Sequence, residues 1–170
     1  MSWTLRIVRA KPNPKGKDLD SLGSPKPEKV LGEWVDIYNQ GDAEVNLSRI
    51  HLCHQEFLQN HVPKDGYTPY WNGGIGEILK PGQSIRVHTG KKAYSYAMDS
   101  VDATGVNYHS FAEKGHYVLN NACGDTISLF WKDASNNWQR EDLVKYAPNP
   151  PDGAILIRSG DMLVHSYAAV

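Results

Sequence analysis

Two cysteines in 170 residues, Cys53 and Cys123, allow at most one internal bridge, so the chain is no disulfide-stapled scaffold. Long apolar runs are missing too. No stretch approaches the roughly 20 apolar residues that a membrane-spanning helix needs, and the mean hydropathy is -0.52. The opening segment MSWTLRIVRAKPNP interrupts its short apolar stretch with Arg6 and Arg9, leaving no h-region of a secretory signal. These absences lead to the expectation of a cytoplasmic chain with free thiols and no membrane contact. A strong charge of either sign is also lacking. Eighteen basic and 19 acidic side chains give a net charge of -1, so the molecule as a whole is no electrostatic magnet for nucleic acid or anionic lipid.

Signatures of catalysis and cofactor binding are equally scarce. The glycine-rich GGIGE at 73–77 is followed by neither a Lys-Ser/Thr step nor a helical run, so it is no phosphate loop. No nucleophile elbow and no cysteine-protease signature is present. His51, Cys53 and His54 crowd into HLCHQEF, but on a strand His51 and Cys53 face one side and His54 the other, so the three cannot close one tetrahedral metal site. The expectation is a protein that is no enzyme and uses no cofactor or metal.

What is present is period-2 alternation. In Gly32 to Leu47, Val35 and Ile37 alternate with Trp34, Asp36 and Tyr38 and run into the turn formers Asn39, Gly41 and Asp42, which reads as a half-buried strand and a fixed turn. Trp3 to Arg9, Leu47 to Leu52, Ser84 to Thr89, Thr126 to Trp131 and Trp138 to Tyr146 alternate likewise. On the penultimate segment Ile127, Leu129 and Trp131 take one face and Thr126, Ser128 and Phe130 the other. Two stretches resist assignment. Residues 11–32, with four prolines, read as a surface excursion, and 91–116 as a long loop with some local structure. Seven to nine strands without an amphipathic helix or a repeat predict one all-β domain.

The segment E-W-V-D-I-Y-N-Q-G from Glu33 to Gly41, with its V-N-L step at 45–47, resembles the lamin tail domain family. Further matching pieces follow in order: Leu79, Pro81 and Gly82; Val87 to Gly90; Asn120, Asn121, Gly124, Asp125, Thr126 and Leu129; and a strand ending at Tyr146. Asn13, Pro14, Gly16 and Asp18 resemble the entry to bacterial members. The resemblance implies an immunoglobulin-like β-sandwich over residues 1–146, acting as a non-enzymatic binding or tethering module for a protein partner. Three departures stand out: Ile50 replaces a common tryptophan, 91–116 is longer than usual, and 147–170 has no counterpart. That last stretch reads as an extra C-terminal hairpin closed by Ser159 and Gly160, with Ile155, Ile157, Leu163, Val164 and Tyr167 too apolar for a free tail. It is expected either to cap a sheet edge of its own domain or to pair with a second copy of the chain as a homodimer.

Two candidate binding surfaces follow. Tyr94, Tyr96, Tyr108 and Phe111 gather in the long loop, as a recognition surface or as its internal packing. The first thirty residues hold seven basic groups against three acids, and Arg6, Arg9, Lys11, Lys15, Lys17 and Lys26 define an alternative in which the protein is a nucleic-acid-binding accessory domain making weak contacts. Asp18, Glu33, Asp36 and Asp125 are read as structural acids rather than calcium ligands.

Overall fold

The computed structural model describes residues 1–16 and 18–165, and the architecture is mostly β, with 40% strand and 11% helix. The expectations for Lys17 and Tyr167 lie outside the described residues. In chain order the strands are β1 (Leu5–Lys11), β2 (Trp34–Asn39), β3 (Val45–Asn46), β4 (Ile50–His54), β5 (Thr68–Asn72), β6 (Ile78–Leu79), β7 (Ser84–His88), β8 (Tyr108–Phe111), β9 (Asp125–Lys132), β10 (Trp138–Tyr146), β11 (Leu156–Ser159) and β12 (Met162–His165). Two short helices, α1 (Pro27–Leu31) and α2 (Ser100–Ala103), accompany them.

Ten strands form one sheet in the order β5-β4-β9-β10-β12-β11-β1-β2-β7-β8, which curls nearly closed, while β3 and β6 make a separate ribbon. Where the two ends of the sheet meet, the Trp71 indole of β5 donates to the Ser110 hydroxyl of β8 at 3.0 Å. The C-terminal hairpin makes the sheet continuous. Its β11 runs antiparallel to β1, with Ala10 opposite Leu156, and its β12 runs parallel to β10 with Lys145 opposite Met162. Both long sides of the hairpin are therefore paired within the chain, and two four-stranded groups that would otherwise end at β10 and β1 become one sheet. Ser159 pairs with Met162 as the last rung, so the reversal sits at Gly160 and Asp161, one residue later than the composition suggested.

Val35, Ile37, Leu52, Ile85, Val87, Ile127 and Leu129, which the alternation places inside, are all buried in one apolar cluster. They come from both halves of the curled sheet, so the two inner faces close on each other. A second close approach sets the turn after β2. A Cβ on Gly41 would run into the Ser2 carbonyl oxygen, and the Gly41 N–H donates to Asn39 Oδ1 at 3.0 Å.

Three expectations require correction. The strand at Trp34–Asn39 is not half-buried, because Trp34 and Asp36 are as inaccessible as Val35 and Ile37. Residues 11–32 are more than a surface excursion: Pro27 opens α1 with its φ already suited to a helix, and Val30 and Leu31 are buried. Residues 91–116 hold a short 3-10 turn at Lys92–Ala97, then α2, then β8, which pairs in parallel with β7. This segment covers the outer side of β2 and β7, and it does so through charge rather than apolar contact. Arg86 grips Asp36 with two hydrogen bonds of 2.7 and 2.9 Å and donates to the carbonyls of Val101, Asp102 and Thr104. Its guanidinium lies 3.6 Å from the Trp34 ring centroid. Lys11 and the Trp34 indole both donate to Asp102 Oδ1, at 2.6 and 2.8 Å. A segment fastened by such bonds needs no hydrophobic period, which is why its sequence shows none.

Candidate functional site

The opposite half of the sheet, β5-β4-β9-β10, has an outer face that is open around Trp138 and closes over the outward Cys53 and Ser128, which are buried. Residues opposite each other in a sheet share a face, and the register sets His51 and Arg140 beside Phe130, and Trp138 beside Lys132. The outward side chains of these strands thus bring aromatic rings together. His51 meets Trp138 edge-on with centroids 4.5 Å apart, and Tyr67, just before β5, lies 5.8 Å from Phe130. With Cys53 and Pro69 these rings line a groove of about 300 Å³. Trp138 keeps 46% of its surface exposed, an unusual condition for the largest apolar side chain.

The charge on this face has one sign. Lys132 places its ammonium 5.0 Å from the Trp138 ring centroid. Arg140 and Lys145 project from the same side of β10, and none of the three cations has an ion pair among the described residues. The acids of these four strands are engaged elsewhere. Glu141 accepts from the Leu5 N–H, and Asp142 accepts from the Ile7 N–H, Arg6 and Arg158. Asp125 accepts from the amides of Gln55, Asn120 and Thr126. Burial, and then the nearby Lys132 ammonium, hold the His51 imidazole below its ordinary range, so it stands in the groove as a neutral ring. Burial pushes the Cys53 thiol up to about 12, which leaves it protonated and a poor nucleophile.

Protein-family models and curated proteins were compared with the chain. Neither gave a match.

The predicted aromatic cluster does not assemble. Tyr94, Tyr96, Tyr108 and Phe111 make no ring contact with one another among the described residues. Phe111 stacks on His88 at 5.1 Å, Tyr108 accepts from Gln83, and Tyr96 stands 84% exposed. The basic amino-terminal residues are scattered and mostly neutralised. Arg6 pairs with Asp142 at 3.1 Å and Arg9 with Asp36 at 2.9 Å, while Lys15 is exposed. Lys11 needs outright correction as a surface cation, because it is 2% exposed and bound to Asp102. β1 is an interior strand of the sheet, and of its three cations only Lys11 is enclosed, under Asp102, whereas Arg6 and Arg9 remain partly exposed while paired.

The polar residues of the strand-turn segments around Glu33 and Asn39 hold the fold. Glu33 Oε1 accepts from the Thr89 hydroxyl and from the amides of Val118 and Leu119, and Asn39 donates to the carbonyls of Ala43 and Leu79. Burial pushes the Glu33 carboxyl up to about 8. Asp18 is raised by burial and by Asp152, and Asp36 is consumed by Arg86 and Arg9. His51 faces Trp138 whereas His54 packs against Tyr70 on the inner side. Both cysteines are free thiols, and no cluster of three or more metal-ligating side chains occurs among the described residues.

Sequence inspection missed Tyr67, His51, Phe130, Trp138, Lys132 and Arg140 as one surface. The alternation already placed Phe130 on the non-core side of its strand, and that was the one available signal. Trp138 joins it only through the register across the Asp133 to Asn137 turn, and Tyr67 only through the pairing of β4 with β5.

Proposed function

We propose that the chain is a non-enzymatic binding or tethering module of lamin-tail type that seats its partner on the outer face of β5-β4-β9-β10. The strand-turn segments from Glu33 to Tyr146 support the family, and the two four-stranded groups with their shared core support an immunoglobulin-like sandwich over 1–146, bridged by the extension at 147–170. No helix among the described residues is long and apolar enough to cross a membrane. The observation that carries the reading is the exposed aromatic groove around Trp138 and Phe130, since a sandwich hosts many functions and only a site argues for one. The family resemblance points to a protein partner, while the cations around the groove add a preference for negative charge. The alternative contact through Arg6, Arg9 and Lys11 loses support because their charges are matched inside the molecule.

A photo-crosslinking residue at position 138, expressed in the native cells, tests the site. A discrete adduct at 138 that is missing from the same probe at exposed Glu44 supports it. Equal labelling from both positions, or no adduct at 138, refutes it.

A further inference from the structure

We propose that the ligand of this face is a short segment of single-stranded nucleic acid, its bases stacked on Trp138, Phe130 and Tyr67 and its phosphates on Lys132, Arg140 and Lys145. The proposal rests on the reading of the face as a binding site and, on the chemistry of that face, puts a nucleic acid in place of the protein partner that the family resemblance implies.

The charge pattern decides between ligand classes. Three cations lie on the outward side of β9 and β10, and every carboxylate of the four strands is turned to backbone amides or arginines elsewhere. An average protein partner brings charges of both signs, and no carboxylate projects from these four strands to answer its lysines and arginines. A polyanion brings one sign. A simple polyanion would gain nothing from rings, however, and here rings and cations alternate. Arg140 stands opposite Phe130, and Lys132 opposite Trp138, so the two rings carried by β9 and β10 each have a cation as cross-strand neighbour, and Tyr67 adds a third ring beside Phe130. Alternating planar π-faces and positive charges match a strand of nucleotides, in which planar bases alternate with phosphates, and base stacking on aromatic side chains tolerates any sequence.

Unpaired bases can splay onto a sheet and stack on its exposed rings, whereas a duplex keeps its bases in its own stack. The His51 ring, held edge-on to Trp138 with centroids 4.5 Å apart, braces the indole.

The test is fluorescence anisotropy of a labelled 15-mer of deoxythymidine titrated with the whole chain, beside a labelled duplex of equal length and labelled polyglutamate. The expected result is saturable binding at 50 mM salt that prefers the single strand over both controls. Trp138→Ala should weaken it at least about fivefold, and so should Arg140→Glu, an exposed substitution that leaves the core untouched. With three phosphate contacts the affinity should fall about 20-fold between 50 and 200 mM salt. No binding at 50 mM, or equal binding of polyglutamate with no effect of Trp138→Ala, overturns the proposal. A position-138 photo-adduct on a protein together with no oligonucleotide binding overturns the nucleic-acid assignment while leaving the binding face intact. Equal labelling at 138 and 44 removes the face itself.

Discussion

His88 Nε2 lies 2.8 Å from His109 Nδ1, and this contact links two chain segments that hydrophobic periodicity leaves unconnected. The outer nitrogens continue the chain, His88 Nδ1 to the Leu31 carbonyl at 2.8 Å and His109 Nε2 to the Ala103 carbonyl at 3.1 Å. Two neutral imidazoles carry two N–H groups for these three contacts, so one contact stays without a proton until the pair gains a third. Burial above all opposes that gain, helped by His109, Arg86 and Lys11, and it pulls His88 down to about 4. Burial and Arg86 also lower His109, although Asp36 acts the other way.

The linkage has a definite sign. A histidine whose folded value is depressed contributes stability above its unfolded value near 6.5 and loses it as pH falls toward the folded value. Between 6.5 and about 4 the loss attributable to His88 is roughly 3 kcal/mol. His88→Asn keeps a donor toward Leu31 and removes the titration. In urea unfolding followed by tryptophan fluorescence, the stability gap between parent and variant should shrink steadily as pH drops from 7 to 4.5. A constant gap over that range would show that His88 does not titrate in this way.

Glu33 should act at the other end of the scale. Its folded value of about 8 lies above the unfolded one, so its contribution is complete below about 4.5 and is lost as pH rises through 8. Glu33→Gln retains an acceptor for Thr89, Val118 and Leu119 without the charge. The variant should gain on the parent by roughly 2 kcal/mol between pH 6.5 and 8. If the two chains lose stability in parallel over that interval, Glu33 is ionised throughout.

Ile37 tests the core. It is wholly buried in the shared cluster, and truncating it to alanine removes methylenes that the surrounding strands cannot replace. Ile37→Ala should cost roughly 2 to 5 kcal/mol, while Ile157→Ala, at a site 44% exposed, should cost about 0.5 kcal/mol or less. Comparable losses at the two positions in chemical denaturation would contradict the assignment of the core.

Ile37 and Leu129 reveal their burial through alternation, and the polar segments around Glu33, Asn39 and Asp125 reveal the turns, because each depends on residues close in sequence. Asp36 and Arg86 gave the opposite impression. A strand whose second face is covered by a charged, hydrogen-bonded segment shows the same alternation as one that faces water, so β2 and β7 read as half-buried. The aromatic groove was hidden for another reason. Phe130 and Trp138 become neighbours only through the register of β9 and β10, which the turn from Asp133 to Asn137 sets. Lys11 looked like a surface cation because composition counts a charge without showing its partner, here Asp102, 91 residues further on.

The C-terminal hairpin supplies the last prediction. β11 and β12 occupy the gap between β1 and β10, and Arg158 binds Asp142, a buried carboxylate that also receives Arg6 and the Ile7 N–H. Deleting residues 148–170 would uncover two strand edges at once and remove one of the two guanidinium partners of Asp142. The truncated chain should aggregate, with a larger apparent mass in sedimentation and lower solubility than the parent. Arg158→Ala separates edge exposure from charge. It leaves both strands in place, and the surviving Arg6 limits its cost to about 1 to 3 kcal/mol. A parental dimer that becomes a stable monomer on truncation would instead assign the hairpin to pairing between chains. A truncated chain of unchanged mass, solubility and stability would show that the seam between β10 and β1 closes without it.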